Sequence, residues 1–309
     1  REHGSSLIET DATGKVVSQG IIKPPKAGQN LTLSIDSRIQ GKLYEIIKNL
    51  AGNIGFKSGA GVIMDVETGE ILAIVSYPEY DPNMLSLGAN TKAIQSLIGD
   101  SRKPFLNRAV SGLYTPGSIV KPYLAIGALN EGIISPTKQI LSTGSISIPN
   151  PYFPDKKSTF NDWKAHGLVD MVHAIAVSSD VYFYEIGGGY QDQKGLGIEK
   201  IEKYSRLFGL GSETGIDLPN ESQGLIPNPE WKKENFDGEQ WFLGNTYHTA
   251  IGQYGFQVTP IQMARAVAVV ANKGKLLTPH LDKDAPVESK DIKIDQNFFE
   301  IAREGMHLA

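Results

Sequence analysis

Ser118 and Lys121 stand three residues apart in the segment Tyr114-Thr115-Pro116-Gly117-Ser118-Ile119-Val120-Lys121. Pro116-Gly117 makes a turn, and an apolar helical pattern begins at Ser118. Positions i and i+3 share one face of a helix, so both side chains point the same way from its first turn. That arrangement suits a serine nucleophile with a lysine base. The positive end of the helix favours developing negative charge, and first-turn N–H groups have no carbonyl to bond within the helix. A lysine acts as a base only where burial or a neighbouring cation lowers its pKa. The same spacing also fits an N-cap serine followed by a surface lysine, and four residues alone do not separate the two.

A second polar group follows in Val177-Ser178-Ser179-Asp180, after the apolar stretch Met171, Val172, Ala174, Ile175, Ala176. Ser178 and Asp180 flank one residue and can enter a cleft from a single loop. Ser178 is then placed to relay a proton to or from Lys121, and Asp180 to fix the lysine's charge or bind a substrate amide. On its own the tripeptide equally suits a turn between two helices. The acidic residues form no paired-carboxylate pattern, so glycosidase chemistry is not indicated. His3, His248, His280 and His307 have no partner spacing and read as structural or surface residues.

The elements that must position these groups are legible in outline. Residues 1–29 are polar and punctuated by Gly and Pro, like the tail of a preceding module or a linker. Asn30–Ile35 alternates as a strand. Asp36 or Ser37 caps a helix with Ile39, Leu43, Ile46, Ile47 and Leu50 on one face, ended by Gly52. Val62–Val66 and Ile71–Val75 flank Glu67-Thr68-Gly69-Glu70, the clearest hairpin signal in the chain, and their nearly continuous apolar character predicts a sheet covered on both faces. Helices are expected over 118–131, 168–186, 201–208 and 260–272, with long loops over 210–240. Strand–helix–hairpin followed by helices is an α+β order, not a βαβ series.

Composition narrows the classes further. The 309 residues carry a net charge of -4, with no basic surplus of the kind a nucleic-acid binder advertises. There is no cysteine, hence no disulfide and no thiolate metal site. With 40% hydrophobic and 21% charged residues the chain has the balance of a folded domain, not of a disordered one. No apolar run approaches the ~20 residues of a membrane-crossing helix. The pattern Phe298, Phe299, Ile301, Ala302, Met306 has barely closed when the chain ends, so the expectation is that it stops inside a domain.

Taken together, Ser118-x-x-Lys121 and Ser178-x-Asp180 match two of the three motifs of penicillin-binding proteins and serine β-lactamases. The chain resembles a class B penicillin-binding protein, and the resemblance covers nearly its whole length. Pro24–Asp36, Ala60–Asn83 with Tyr80-Asp81-Pro82-Asn83, Asn107-Arg108-Ala109, Asp162-Trp163 and Ala250–Ala264 all fit. Asp180-Val181-Tyr182-Phe183-Tyr184 is most similar to the rod-shape, or elongation, type, because division-type enzymes usually carry Asn at the aspartate. The resemblance implies an α+β penicillin-binding transpeptidase fold, with an antiparallel sheet covered by helices plus an all-helical subdomain. It implies a tail of an N-terminal pedestal over 1–29 and a transpeptidase domain over 30–309, incomplete at its C-terminus. It further implies D,D-transpeptidation of peptidoglycan stem peptides, inhibition by β-lactam antibiotics, no cofactor, and a membrane glycosyltransferase of the elongation machinery as partner. The expected place is the outer face of the cytoplasmic membrane or the periplasm, with an anchoring helix outside this chain.

On this resemblance Ser118, Lys121, Ser178 and Asp180 are the catalytic set, and Trp163 and Tyr254 are candidates to line the substrate cleft. Tyr254 stands where rod-type members usually have Gly and either adds an aromatic wall or fills space. The family's third motif, Lys-Thr/Ser-Gly, is absent, which fits a piece that ends before it; the strand that carries it is expected to rejoin the sheet of residues 60–76. Some rod-type members hold zinc near Asp162 with carboxylate, His and Cys. Here Asp162, His166 and His173 are present without a Cys, so the two histidines read as solvent-exposed and no metal is assigned. Two other readings stay open: a D,D-carboxypeptidase or β-lactamase using water as acceptor, and a non-catalytic β-lactam sensor or scaffold.

Overall fold

The computed structural model describes residues 2–87, 90–153 and 155–309. The first segment is not simply a linker. Its β-branched residues build an antiparallel hairpin of Ser5–Thr10 (β1) and Val16–Lys23 (β2), exposed along both strands. The turn forms because the Asp11 carboxylate accepts the N–H groups of Thr13 and Lys15. The strand expected at 30–35 makes a single bridge, Leu33 to Asp282. Its Ser34 hydroxyl is spent on the carbonyls of Ile71 and His280 instead.

Asp36 caps Ser37–Ile54 (α1) by accepting from the amides of Arg38 and Ile39. The helix passes through the exposed Gly52 and stops at Gly55, whose left-handed backbone (φ 83°) returns its N–H to Ala51. Gly59–Met64 (β3) and Ile71–Tyr77 (β4) form the expected hairpin, closed where Asp65 accepts from Glu67 and Thr68. Leu43 and Ile47 of α1 lie directly on Gly59 and Gly61, where added side chains would collide with them. Ile71 enters a small core with Ala109, Val110, Ile216, Ile261 and Leu281. Among the described residues β3 pairs only with β4. A trough of about 730 Å³ lies between β3 and residues such as Met263 and Val267.

Two short helices, Pro82–Leu87 (α2) and Thr91–Ile98 (α3), lead to a 3-10 turn at Gly117–Val120 that runs into Lys121–Asn130 (α4). Nearly every α4 side chain from Lys121 to Leu129 is buried, which makes it the central helix of the larger core. The stretch 140–169, unassigned from sequence, holds Ile140–Ser142 (β5), Ser145–Pro149 (β6), Lys157–Asn161 (β7) and Gly167–Val169 (β8). β5 pairs with β8 and β6 with β7, both antiparallel. The helix expected over 168–186 is two helices, Met171–Ala176 (α5) and Asp180–Gly188 (α6), because Asp170 caps the first and Ser179 the second. Ile198–Leu207 (α7), Pro229–Asn235 (α8), Leu243–Ala250 (α9) and Pro260–Ala271 (α10) follow, α8 breaking the predicted long loop. Lys275–Leu277 (β9) pairs with Ser289–Asp291 (β10), and Gln296–His307 (α11) packs on α4 and α5. No helix among the described residues is long and apolar enough to cross a membrane.

Helices α6 and α9 touch through glycine. A Cβ on Gly187 would overlap the Ala250 side chain. Gly187→Ala gains about 1 kcal/mol of helix propensity, whereas overpacking of this kind costs typically 1–3 kcal/mol. We expect a lower melting temperature for Gly187→Ala; an unchanged or higher one would mean that the two helices part freely.

Glu185, half-buried on α6, has its carboxyl pushed up by burial from 4.5 to about 7, with the Lys138 ammonium opposing the shift. Between those pH values the folded state holds more protons than the unfolded one, so stability falls as pH rises. The contribution is complete below about 4.5 and lost as pH passes about 7. Thermal melts from pH 4 to 8 should therefore show wild type losing stability relative to Glu185→Gln. Parallel curves would contradict this.

Candidate active site

The turn that carries Ser118 is clamped from outside. Tyr114 and Val258 exchange two N–H···O bonds of 2.9 Å, and the Gly117 N–H donates to Gly252 O at 3.0 Å. Gly117 (φ 62°) and Gly252 (φ 73°) both need the left-handed region. A Cβ on Gly252 would also overlap the Gly117 backbone. The segment 250–258 therefore seats the 3-10 turn, and the turn presents Ser118 to solvent while Lys121 sinks to 1% exposure.

The Lys121 ammonium makes three hydrogen bonds. It donates to Ser178 O at 2.9 Å, to Ser178 Oγ at 3.1 Å and to Asp180 Oδ1 at 2.5 Å. None goes to Ser118, which lines the same cavity of about 320 Å³ together with Lys121, Ser178, Ile175 and Met263. Burial pushes the Lys121 pKa below the usual lysine value, and the Asp180 carboxylate pulls back without cancelling the shift. Ser178 holds its place with a left-handed backbone (φ 53°), unusual for a side chain other than glycine. Of the expected set, Ser178 and Asp180 thus hold the Lys121 ammonium, and Ser118 shares only the cavity lining.

The residues around this set divide. Trp163 is 62% exposed and lies beside the 177–180 loop, its indole N–H donating to Val177 O at 3.3 Å. Tyr254 packs among Trp231, Phe236 and Trp241 and lines a separate cavity of about 800 Å³ with Phe160, Phe242 and His248. The expectation of exposed histidines holds for His173 (side chain 64% exposed) and fails for His166, at 2%. His166 Nε2 lies 3.3 Å from the fully buried Asp162 carboxylate, because that carboxylate needs donors where water cannot reach. His173 instead turns to Asp170 at 2.7 Å, so the three do not converge. Burial disfavours the Asp162 anion, but the amides of Val181 and Asp180 and the Ser179 hydroxyl outweigh it and keep its pKa below the usual range. Ser179, which caps Asp180–Gly188, is not among the residues that motif spacing singles out. A serine just before the apolar run Val181–Tyr184 was the capping signal that marks it.

Comparison with known proteins decides the family. The penicillin binding protein transpeptidase domain matches residues 59–309. The chain belongs to the penicillin-binding transpeptidase family. It is 39% identical to the peptidoglycan D,D-transpeptidase MrdA of Acinetobacter baumannii over 90% of this chain and 39% of that protein. Against MrdA of Escherichia coli the identity is 32%, covering 98% of this chain and 47% of the relative. The peptidoglycan D,D-transpeptidase FtsI of Escherichia coli matches at 27% identity, over 88% of this chain and 40% of that protein. Among solved structures, penicillin-binding protein PBP2 of Helicobacter pylori superposes with a TM-score of 0.80 at 32% identity, covering 98% of this chain and 54% of that one. The chain thus spans about half the length of that structure and of the Escherichia coli relative, and less of the Acinetobacter one.

Because Asp180 raises the Lys121 pKa, removing its charge should lower that pKa further. If Lys121 is the base, the rate of acylation climbs as this group deprotonates. Asp180→Asn should therefore move the acid limb of the acylation–pH profile to lower pH, measured with a fluorescent penicillin on the full-length protein. A limb that stays or moves to higher pH would remove Asp180 as the lysine's partner.

Proposed function

We propose that this domain is the acyl-transfer unit of a peptidoglycan D,D-transpeptidase of the elongation type. Ser118 Oγ attacks the carbonyl of the D-Ala–D-Ala bond of a stem peptide. Lys121, in its unprotonated form, takes the hydroxyl proton. The tetrahedral intermediate collapses, the C–N bond breaks, and the amine of D-Ala leaves with a proton passed from Lys121 through Ser178. An amine from a neighbouring stem peptide then attacks the ester, forms the cross-link and returns Ser118 to its hydroxyl. The Ser118 N–H, in the first turn of the helical segment, is one donor to the oxyanion. β-Lactams enter the same path and stay as esters on Ser118.

The observation that carries this reading is the buried Lys121 ammonium, held by Ser178 and Asp180 in the same cavity that Ser118 lines. For Lys121 to accept a proton it must be neutral, and its burial moves it that way. Trp163, exposed next to Val177, suits a platform for the substrate peptide. Tyr254 is the second substrate-contact candidate, on the wall of the separate aromatic cavity. Two of the solved relatives are a complex of PBP2 with MreC and a peptidoglycan synthase complex that coordinates polymerisation and crosslinking. They support a membrane glycosyltransferase of the elongation machinery as partner, and a location on the outer face of the cytoplasmic membrane or in the periplasm.

The test is covalent labelling. Full-length protein incubated with a fluorescent penicillin should form a stable adduct on the peptide containing Ser118, and Ser118→Ala should form none while melting at the same temperature. An adduct on the Ser118→Ala protein refutes the nucleophile. Rapid turnover of the adduct points to water as acceptor, and no labelling of wild type points to a scaffold.

A further inference from the structure

The two side chains that hold Lys121 come from a turn whose amides at Ser178 and Ser179 bond back to Ile175 O and Ala174 O, both at 3.0 Å. Ser178 has a strained backbone (φ 53°), and such a conformation persists only where its surroundings over-determine it. The residue between them, Ser179, is fully buried. Its hydroxyl accepts the Tyr182 N–H at 3.3 Å, capping α6, and donates to Asp162 Oδ2 at 2.9 Å. The same carboxylate oxygen accepts the Val181 N–H at 3.0 Å and the Ser142 hydroxyl at 3.2 Å. The other oxygen accepts the Trp163 N–H at 2.8 Å and faces His166 Nε2 at 3.3 Å. Asp162 is itself fixed by its own N–H to Gly144 O at 2.8 Å, at the end of β7.

We propose that Asp162 is the positioning residue of the catalytic loop: its buried carboxylate grips Ser179 and Val181 and thereby places Ser178 and Asp180 on Lys121. The inference rests on the acyl-transfer reading for its effect on rate, but not for its effect on the loop. The residue type follows from the donor count. The oxygens face Ser179, Val181, Ser142 and Trp163 as donors, and only a carboxylate accepts from all of them. An asparagine in its place turns an N–H₂ toward at least one donor. Charge also strengthens the bonds, since a carboxylate acceptor makes shorter and stronger hydrogen bonds than a neutral one. Ser142 and His166 bring β5 and the 162–166 turn to the same point, so the grip is anchored in the strand region and not in the loop it holds.

A misplacement of about 1 Å at a reacting centre costs on the order of 10²-fold in rate. We therefore expect Asp162→Asn, in the full-length protein, to lower the acylation rate constant with a fluorescent penicillin by about 10–100-fold, while the affinity of the non-covalent complex changes little. Ser179→Ala should act in the same direction. The double variant should lose less than the product of the two, because both remove one shared contact. Affinity lost with rate unchanged, or losses that multiply, would overturn the proposal. Amide hydrogen exchange on the 309-residue chain keeps the question independent of catalysis. Asp162→Asn should expose the amides of Ser178–Tyr182 to exchange and leave α10 protected. Unchanged protection of that turn would overturn the proposal even if wild type never acylates; failure to label wild type at Ser118, with the turn loosened as expected, would instead sink the acyl-transfer reading alone.

Discussion

A lysine ammonium buried to 1% exposure is the constraint on which this domain turns. Leaving such a charge without partners costs several kcal/mol, so the fold must bring acceptors to it. It does so with a backbone carbonyl, a hydroxyl and a carboxylate, all from residues 178–180. The same burial that demands partners also depresses the lysine's pKa, and the carboxylate partner limits how far. Structure and chemistry therefore draw on one balance. Too little burial leaves a surface cation, and too strong a carboxylate leaves a permanent ion pair.

Two flanking devices keep that balance in place. On the Ser118 side, the carbonyl of Gly252 takes the Gly117 N–H, and glycine at both positions lets the two backbones meet. On the partner side, Asp162 and Ser179 meet out of contact with water. Neither device touches the Ser118 hydroxyl. Each fixes a backbone turn, and the turn aims the side chain. This division leaves Ser118 exposed while Lys121 is buried.

Family membership sharpens what these contacts mean. The likeness to MrdA and PBP2 spans almost the whole of this chain, though only part of each relative. The family model alone matches from the start of β3 to the last residue, and so takes in both the β3–β4 hairpin and the helical core. Within the segment 250–258, Tyr254 lines the aromatic cavity, while Gly252 and Val258 bond the turn that carries Ser118.

Local chemistry carried much of this from the sequence alone. Pro116-Gly117 before an apolar run placed Ser118 and Lys121 on one helical face, because i,i+3 geometry is independent of what surrounds the helix. The β3–β4 hairpin followed from its turn residues, and the helical stretches of α1, α4, α7 and α10 from their apolar patterns and caps. The failures share a cause. Gly52 reads as a stop in the sequence, yet an exposed glycine only weakens a helix and Gly55 supplies the stop. The short strands β5 to β8 have three to five residues each and depend on partners up to 29 positions away, Ile140 with Val169 being the farthest. His166 looked exposed because nothing in its neighbours announces the buried carboxylate at 162. Sequence by itself determined which residue types were available, and where turns and helix ends would present them. Only the tertiary structure decided that Lys121 would be buried and partnered, and that Ser178 and Asp180 rather than any other polar pair would reach it, because burial and long-range hydrogen bonds are set by packing between elements far apart in the chain.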